Sequence, residues 1–213
     1  MTDERLVPTP HGDARLVVRR GRRTLATLLL QHGAGGGLGA RDLVALSAML
    51  PAAGITTILL EQPFSVAGRR IAPRPAVLDE CLSAVCGRLR ARTPLVLGGR
   101  SAGARSSARM AGPLGAVGCL ALAFPLHPPG RPDKSRVEEL LGAGVPTLVV
   151  QGARDAFGRP EEFPPGINLS VVPDGDHGFA VPRSAALSQQ ATVDLLVDTV
   201  RRWLVEDVLG NGP

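Results

Sequence analysis

Read for its alternation of apolar and polar positions, the chain breaks into short buried runs separated by turns rich in glycine and proline. Residues 5–8 and 15–19 alternate and predict two short strands joined by the turn Pro10-His11-Gly12-Asp13, which leaves His11 in solvent. Residues 25–30 form a continuous apolar run suited to a strand covered on both faces. Further strand-like runs follow at 55–60, 95–97, 117–124, 146–150 and 168–172. Helical spacing falls between them. It covers 41–50 (Leu43, Leu46, Leu50) and 76–90 (Leu78, Cys81, Leu82, Val85, Leu89). It continues in an Ala/Ser/Arg segment from 102 to the stop at Gly112-Pro113, a short stretch at 135–141, and a long one at 184–208. In the last, Leu196, Val200, Trp203, Leu204 and Val208 share a face, which makes the lone tryptophan a packing residue. Strands alternating with helices from residue 25 onward predict a mostly parallel sheet with helices on both faces and functional groups at the carboxyl ends of the strands.

Composition narrows this picture. A chain of 213 residues, 44% hydrophobic, suits a single α/β domain spanning 1–213. Its longest apolar stretch, 116–124, is far below the ~20 residues of a membrane span. The charged start Met1-Thr2-Asp3-Glu4-Arg5 lacks the apolar core of a secretory signal, so the expected compartment is the cytoplasm, with no membrane partner. Three cysteines without a C-x-x-C spacing argue against a disulfide framework or a zinc site, and neither metal nor cofactor is expected. The net charge of +5 raises nucleic acid as a partner, with Arg15, Arg19, Arg20, Arg22 and Arg23 clustered. With aromatics at 3%, tyrosine absent and no stacking residue interleaved, the arginines read instead as a solvated surface. The sequence carries no signal for an oligomeric state.

The chemistry starts at Gly99-Arg100-Ser101-Ala102-Gly103, a G-x-S-x-G between a strand and a helix. A serine held at such a turn forces the residues two before and two after it together, where only glycine fits. A serine hydroxyl attacks an acyl carbon only when a base takes its proton, and the base needs a carboxylate to fix its tautomer. The tips of later strands supply both: Asp155 after the run at 146–150, and His177 after the last strand. Asp174 and Asp176 are alternative acids, but they sit too close to His177 in sequence to grip its far nitrogen. The oxyanion of a tetrahedral intermediate needs backbone N–H donors, for which Ala102 and Ala34 are the first choices and Gly35 the second. His32, Phe64, Arg100, His127 and Phe179 are candidates for the substrate pocket, His32 reading better as a brace of its glycine loop and His127 as the one rival base. Arg100 could favour an anionic substrate or pair with a structural acid. A different function competes for the glycine loop. Gly35-Gly36-Gly37-Leu38-Gly39-Ala40 matches G-x-G-x-x-A, and Glu61 ends the next strand as a ribose-binding acid would, the pattern of a dinucleotide-binding domain.

Five blocks together resemble the KANSL/Tex-type α/β-hydrolase-like family: Gln31–Gly36, Gly98–Gly103, Phe124–Pro132, Gln151–Gly158 and Asp176–Phe179. More distantly the chain resembles dienelactone-hydrolase-like proteins, which use a cysteine where this chain has Ser101. The resemblance covers about residues 25–205 and implies an α/β-hydrolase fold with Ser101, Asp155 and His177 at the triad positions. The loop after Phe124 is too short for a lid domain. The expectation is a serine hydrolase acting on a small ester, thioester or related acyl compound, with a catalytically silent interaction protein of the same fold as the alternative.

Overall fold

The apolar runs become the centre of one eight-stranded sheet in a computed structural model that describes residues 2–35, 37–89 and 92–210. Gly36 of the glycine loop and the last predicted position of the helix at 76–90 lie outside the described residues. The strands are β1 (Thr2–Thr9), β2 (Gly12–Arg19), β3 (Ala26–Gln31), β4 (Ile55–Glu61), β5 (Leu95–Arg100), β6 (Gly118–Leu122), β7 (Thr147–Gly152) and β8 (Leu169–Val172). The helices are α1 (Arg41–Met49), α2 (Pro63–Val66), α3 (Pro75–Arg88), α4 (Ala102–Met110), α5 (Val137–Leu141) and α6 (Gln189–Trp203). Strand order is β1-β2-β4-β3-β5-β6-β7-β8. Only β2 runs against its neighbours; every other pairing is parallel.

Burial follows from position in that order. Every residue of β3, β4 and β6 is buried, as the continuous apolar runs predict for strands covered on both sides. In β2, by contrast, Ala14, Leu16 and Val18 are buried while their neighbours are not, the period-two signature of a half-covered strand. Consecutive leucines of β3 divide between two apolar layers. Leu29 packs with Leu82, Val85, Ala104 and Ala108 of α3 and α4, while Leu28 and Leu30 pack with Leu43, Leu46, Leu196 and Val200 of α1 and α6. Trp203 belongs to the second layer, and a Cβ built on Gly118 would lie 3.3 Å from its ring. The lone tryptophan is therefore core.

Several elements depart from the sequence expectation: β1 and β2 outrun the predicted 5–8 and 15–19, Gly12 and Asp13 pairing with Thr9 and Pro8 instead of forming the turn. The final helix begins at Gln189 rather than 184, because Ser188 caps it by accepting the Ala191 N–H, and 184–187 offer only one large apolar side chain, Leu187. The same helix closes in a wide turn over Leu204–Val208, where the Leu209 N–H reaches the Leu204 carbonyl. The proline-spaced loop after β4 holds the single-turn helix α2, with Pro63 at its first position. Among the described residues no insertion of domain size covers the carboxyl edge of the sheet, and no helix is long and apolar enough to cross a membrane.

Candidate active site

Ser101 stands between β5 and α4 with φ 55° and ψ −114°, a conformation that L side chains rarely adopt. The surrounding glycines permit it. A Cβ on Gly99 would lie 2.6 Å from the Gly103 carbonyl carbon, and one on Gly103 would lie 2.7 Å from the carbonyl oxygens of both Gln31 and His32. The turn is also fastened by hydrogen bonds, from the Ser101 N–H to the Leu122 carbonyl (3.0 Å) and from the Arg105 N–H to the Ser101 carbonyl (3.1 Å). Beneath it runs a buried polar chain. Gln62 donates to Gln31 (2.6 Å), Gln31 donates to Ser107 (3.0 Å), and Ser107 donates to the Gly98 carbonyl (2.8 Å).

The three strand-tip residues meet. His177 Nε2 lies 3.0 Å from Ser101 Oγ, and His177 Nδ1 lies 2.8 Å from Asp155 Oδ2. Asp155 is fully buried, and two further groups hold its carboxylate: the Phe157 N–H (2.8 Å) and the Gln151 side-chain amide (2.9 Å). Because a carboxylate only accepts, Nδ1 carries the proton and Nε2 presents a lone pair to the serine hydroxyl. The His177 side chain is 23% exposed. Asp176 does not orient the imidazole. Its Oδ1 accepts the N–H groups of Gly178 and Ala180 and folds the loop, while Asp174 supplies only its backbone carbonyl, to Arg154.

The oxyanion candidates stand on two segments of the chain. Ala102 opens α4, and Ala34 and Gly35 form the exposed tip of the loop after β3. That loop lies on the serine: a Cβ built on Gly33 would come within 3.2 Å of the Ser101 Cβ.

The pocket candidates divide. Arg100 donates to the His177 backbone carbonyl (2.6 Å) and pairs with the buried Asp42 carboxylate (3.3 Å), so its charge is committed within the protein. Burial pushes the Asp42 carboxyl up, and Arg100 opposes that shift. His32 is a brace. Its Nδ1 donates to the Gly33 carbonyl (2.7 Å), its Nε2 accepts the Gln62 N–H (3.0 Å), and burial pushes the imidazole down. His127 is no base, because both ring nitrogens face acceptors, the Pro128 carbonyl (2.9 Å) and Glu162 (2.7 Å). The carbonyl first and then Glu162, against burial, hold this imidazole above its ordinary range. Phe179 is not a pocket residue either. At φ 54° the loop turns its ring into the apolar layer beside Leu196, where it is fully buried. Phe64 sits 5.4 Å from the His32 ring and lines a 470 Å³ cavity with Pro63, Val77 and Cys81, to which no triad residue contributes.

Two residues of the site were missed in the sequence. Phe157 lays its ring 4.3 Å from that of His177, and Gln151 holds Asp155. Their signals were proximity to Asp155 in the chain and a place in the Gln151–Gly158 block. The dinucleotide reading fails on geometry. Helix α1 starts only at Arg41, well after β3 ends at Gln31, rather than at a tight strand-to-helix turn, and Glu61 is taken by Arg15 (2.7 Å) and Ser65 (2.7 Å). Among the described residues no group of His, Cys, Asp and Glu is arranged to hold a metal ion.

A family model described as an alpha/beta hydrolase domain matches residues 24–205. No curated protein matches the sequence. Among solved structures, the fold is similar to a lidless α/β serine hydrolase from Xanthomonas campestris, with 21% identity over 95% of this chain and 94% of that one at TM-score 0.72. It is also similar to an α/β serine hydrolase homologue from Coxiella burnetii, with 18% identity over 95% and 97% of the two chains and TM-score 0.75. A dienelactone hydrolase from Anabaena variabilis gives 16% identity over 96% of each chain and TM-score 0.72.

Proposed function

Since the chain belongs to the alpha/beta hydrolase domain family, we propose that it is a serine hydrolase that cleaves a small carboxylic ester, thioester or related acyl compound. The observation that carries this reading is the unbroken line from Ser101 Oγ through His177 to Asp155, at 3.0 and 2.8 Å. In this reading His177 Nε2 takes the Ser101 proton as the hydroxyl attacks the carbonyl carbon, and Asp155 stabilises the imidazolium that results. The backbone N–H groups of Ala102 and Ala34, with Gly35 behind them, hold the oxyanion. The imidazolium returns its proton to the leaving group. Water, deprotonated by the same nitrogen, then releases the acyl group from Ser101.

The Phe124–Pro132 and Gln151–Gly158 blocks support a KANSL/Tex-type branch of the family. The three free cysteines fit a reducing compartment such as the cytoplasm. The test is an alkyl fluorophosphonate probe on native protein. Labelling is expected in wild type and absent in Ser101→Ala; equal labelling of the two, or none in either, overturns the reading in favour of a silent member of the fold.

A further inference from the structure

A second convergence of polar groups lies at the amino edge of the sheet, the edge away from Ser101. Thr27 and Thr56 stand near the starts of β3 and β4, Arg92 and Thr93 just before β5, and Arg20 just after β2. Together with Thr24 and with Arg5 reaching in from β1, they line a cavity of 300 Å³. Three exposed arginines from three separate segments thus line one concave space, and among the described residues no carboxylate lines it. Arg20 also pairs with Asp3 at 3.9 Å, an exposed contact to one nitrogen of the guanidinium.

The hydroxyls add direction to the charge. Thr27 and Thr93 are hydrogen-bonded to each other (2.9 Å), as are Thr24 and Thr56 (2.9 Å). Each hydroxyl carries one hydrogen, so each mutual bond consumes one O–H and leaves one over. In the second pair Thr56 accepts the Gly21 N–H (3.3 Å), and the spare O–H has only the Gly21 carbonyl at 3.5 Å. The cavity is therefore lined by three arginines and by two hydroxyl pairs, of which the Thr27–Thr93 pair has an O–H to spare. That inventory suits an anion with several acceptor oxygens, because guanidinium binds phosphate through paired N–H donors. Its volume exceeds that of a single inorganic ion and fits the phosphorylated part of a small molecule.

We propose that this cavity binds the phosphate or diphosphate group of a small phosphorylated ligand, at a site separate from the triad. The experiment is titration of the full chain with inorganic phosphate and pyrophosphate at low ionic strength, followed by calorimetry and by the melting temperature. Saturable binding is expected, tighter for pyrophosphate, with a rise in melting temperature as saturation is approached. Arg92→Gln and Arg20→Gln are each expected to weaken it about tenfold. Arg70→Gln removes the same charge from an exposed residue outside the cavity and is expected to leave affinity within about twofold. Equal weakening in all three variants overturns the proposal, as does the absence of saturation by about 10 mM. So does preferential binding of duplex DNA that tightens with length and ignores which arginine is removed, since that would mark a general response to positive charge.

Discussion

Arg100 donates a 2.6 Å hydrogen bond to the backbone carbonyl of His177. The residue that precedes the serine in sequence thereby tethers the loop that carries its imidazole, and Asp42 of α1 anchors the tether from below. Arg100→Met is expected to lower kcat for an ester substrate by about tenfold to a hundredfold with little change in KM, since misplacement of about 1 Å at a reacting group costs that much. Arg100→Lys, which keeps the charge, should recover part of the loss.

The same pair gives a pH dependence. Burial raises the Asp42 carboxyl, so the folded state holds a proton that the unfolded chain releases, and this carboxyl costs stability as pH rises from about 4 through its folded value. Without Arg100 that window extends upward. The stability gap between wild type and Arg100→Met, measured by urea unfolding, should therefore be widest near neutral pH and narrow on acidification. A gap independent of pH would refute the coupling.

His127 titrates with the opposite consequence. The Pro128 carbonyl and Glu162 hold its imidazole above the usual range, so its contribution is complete below about pH 6.5 and is lost as pH rises through the folded value. The melting temperature of wild type should fall relative to His127→Gln across that window, and the two curves should run parallel above it.

Phe157 stacks on the His177 ring at 4.3 Å while its backbone N–H serves Asp155. Phe157→Ala removes the ring and keeps the N–H. Steady-state kinetics should show kcat reduced by about tenfold, with Ser101 still reactive toward the probe.

The glycines of the serine turn should separate sharply from those of the loop tip. Gly103→Ala places a methyl 2.7 Å from two backbone oxygens and is expected to cost about 3 kcal/mol or more in urea unfolding. Gly35→Ala meets nothing within 4 Å and should cost under about 1 kcal/mol.

Ser101, Asp155 and His177 were legible in the sequence because each ends an apolar run, so alternation alone brings them to one edge of the sheet. Residues whose role depends on a distant partner were not. Arg100 meets an acid on α1, and His127 meets Glu162, and neither partner has any local signature. Phe179 looked like a pocket residue until a backbone reversal at positive φ, set by the two N–H groups gripping Asp176, sent it inward. The late start of α6 was hidden because the apolar spacing marks a helix's buried face and not its first residue, which the Ser188 cap sets.

The amide chain from Gln62 through Gln31 and Ser107 to Gly98 joins three adjacent strands to the helix that follows the serine. Its three side chains are buried and linked in series, so opening any one strains its neighbour. The chemically busiest spot of the molecule should then be one of its mechanically quietest. In deuterium-exchange measurements, amides from Gly98 to Ser107 should exchange among the slowest of all, while the exposed Ala34 exchanges within the first moments.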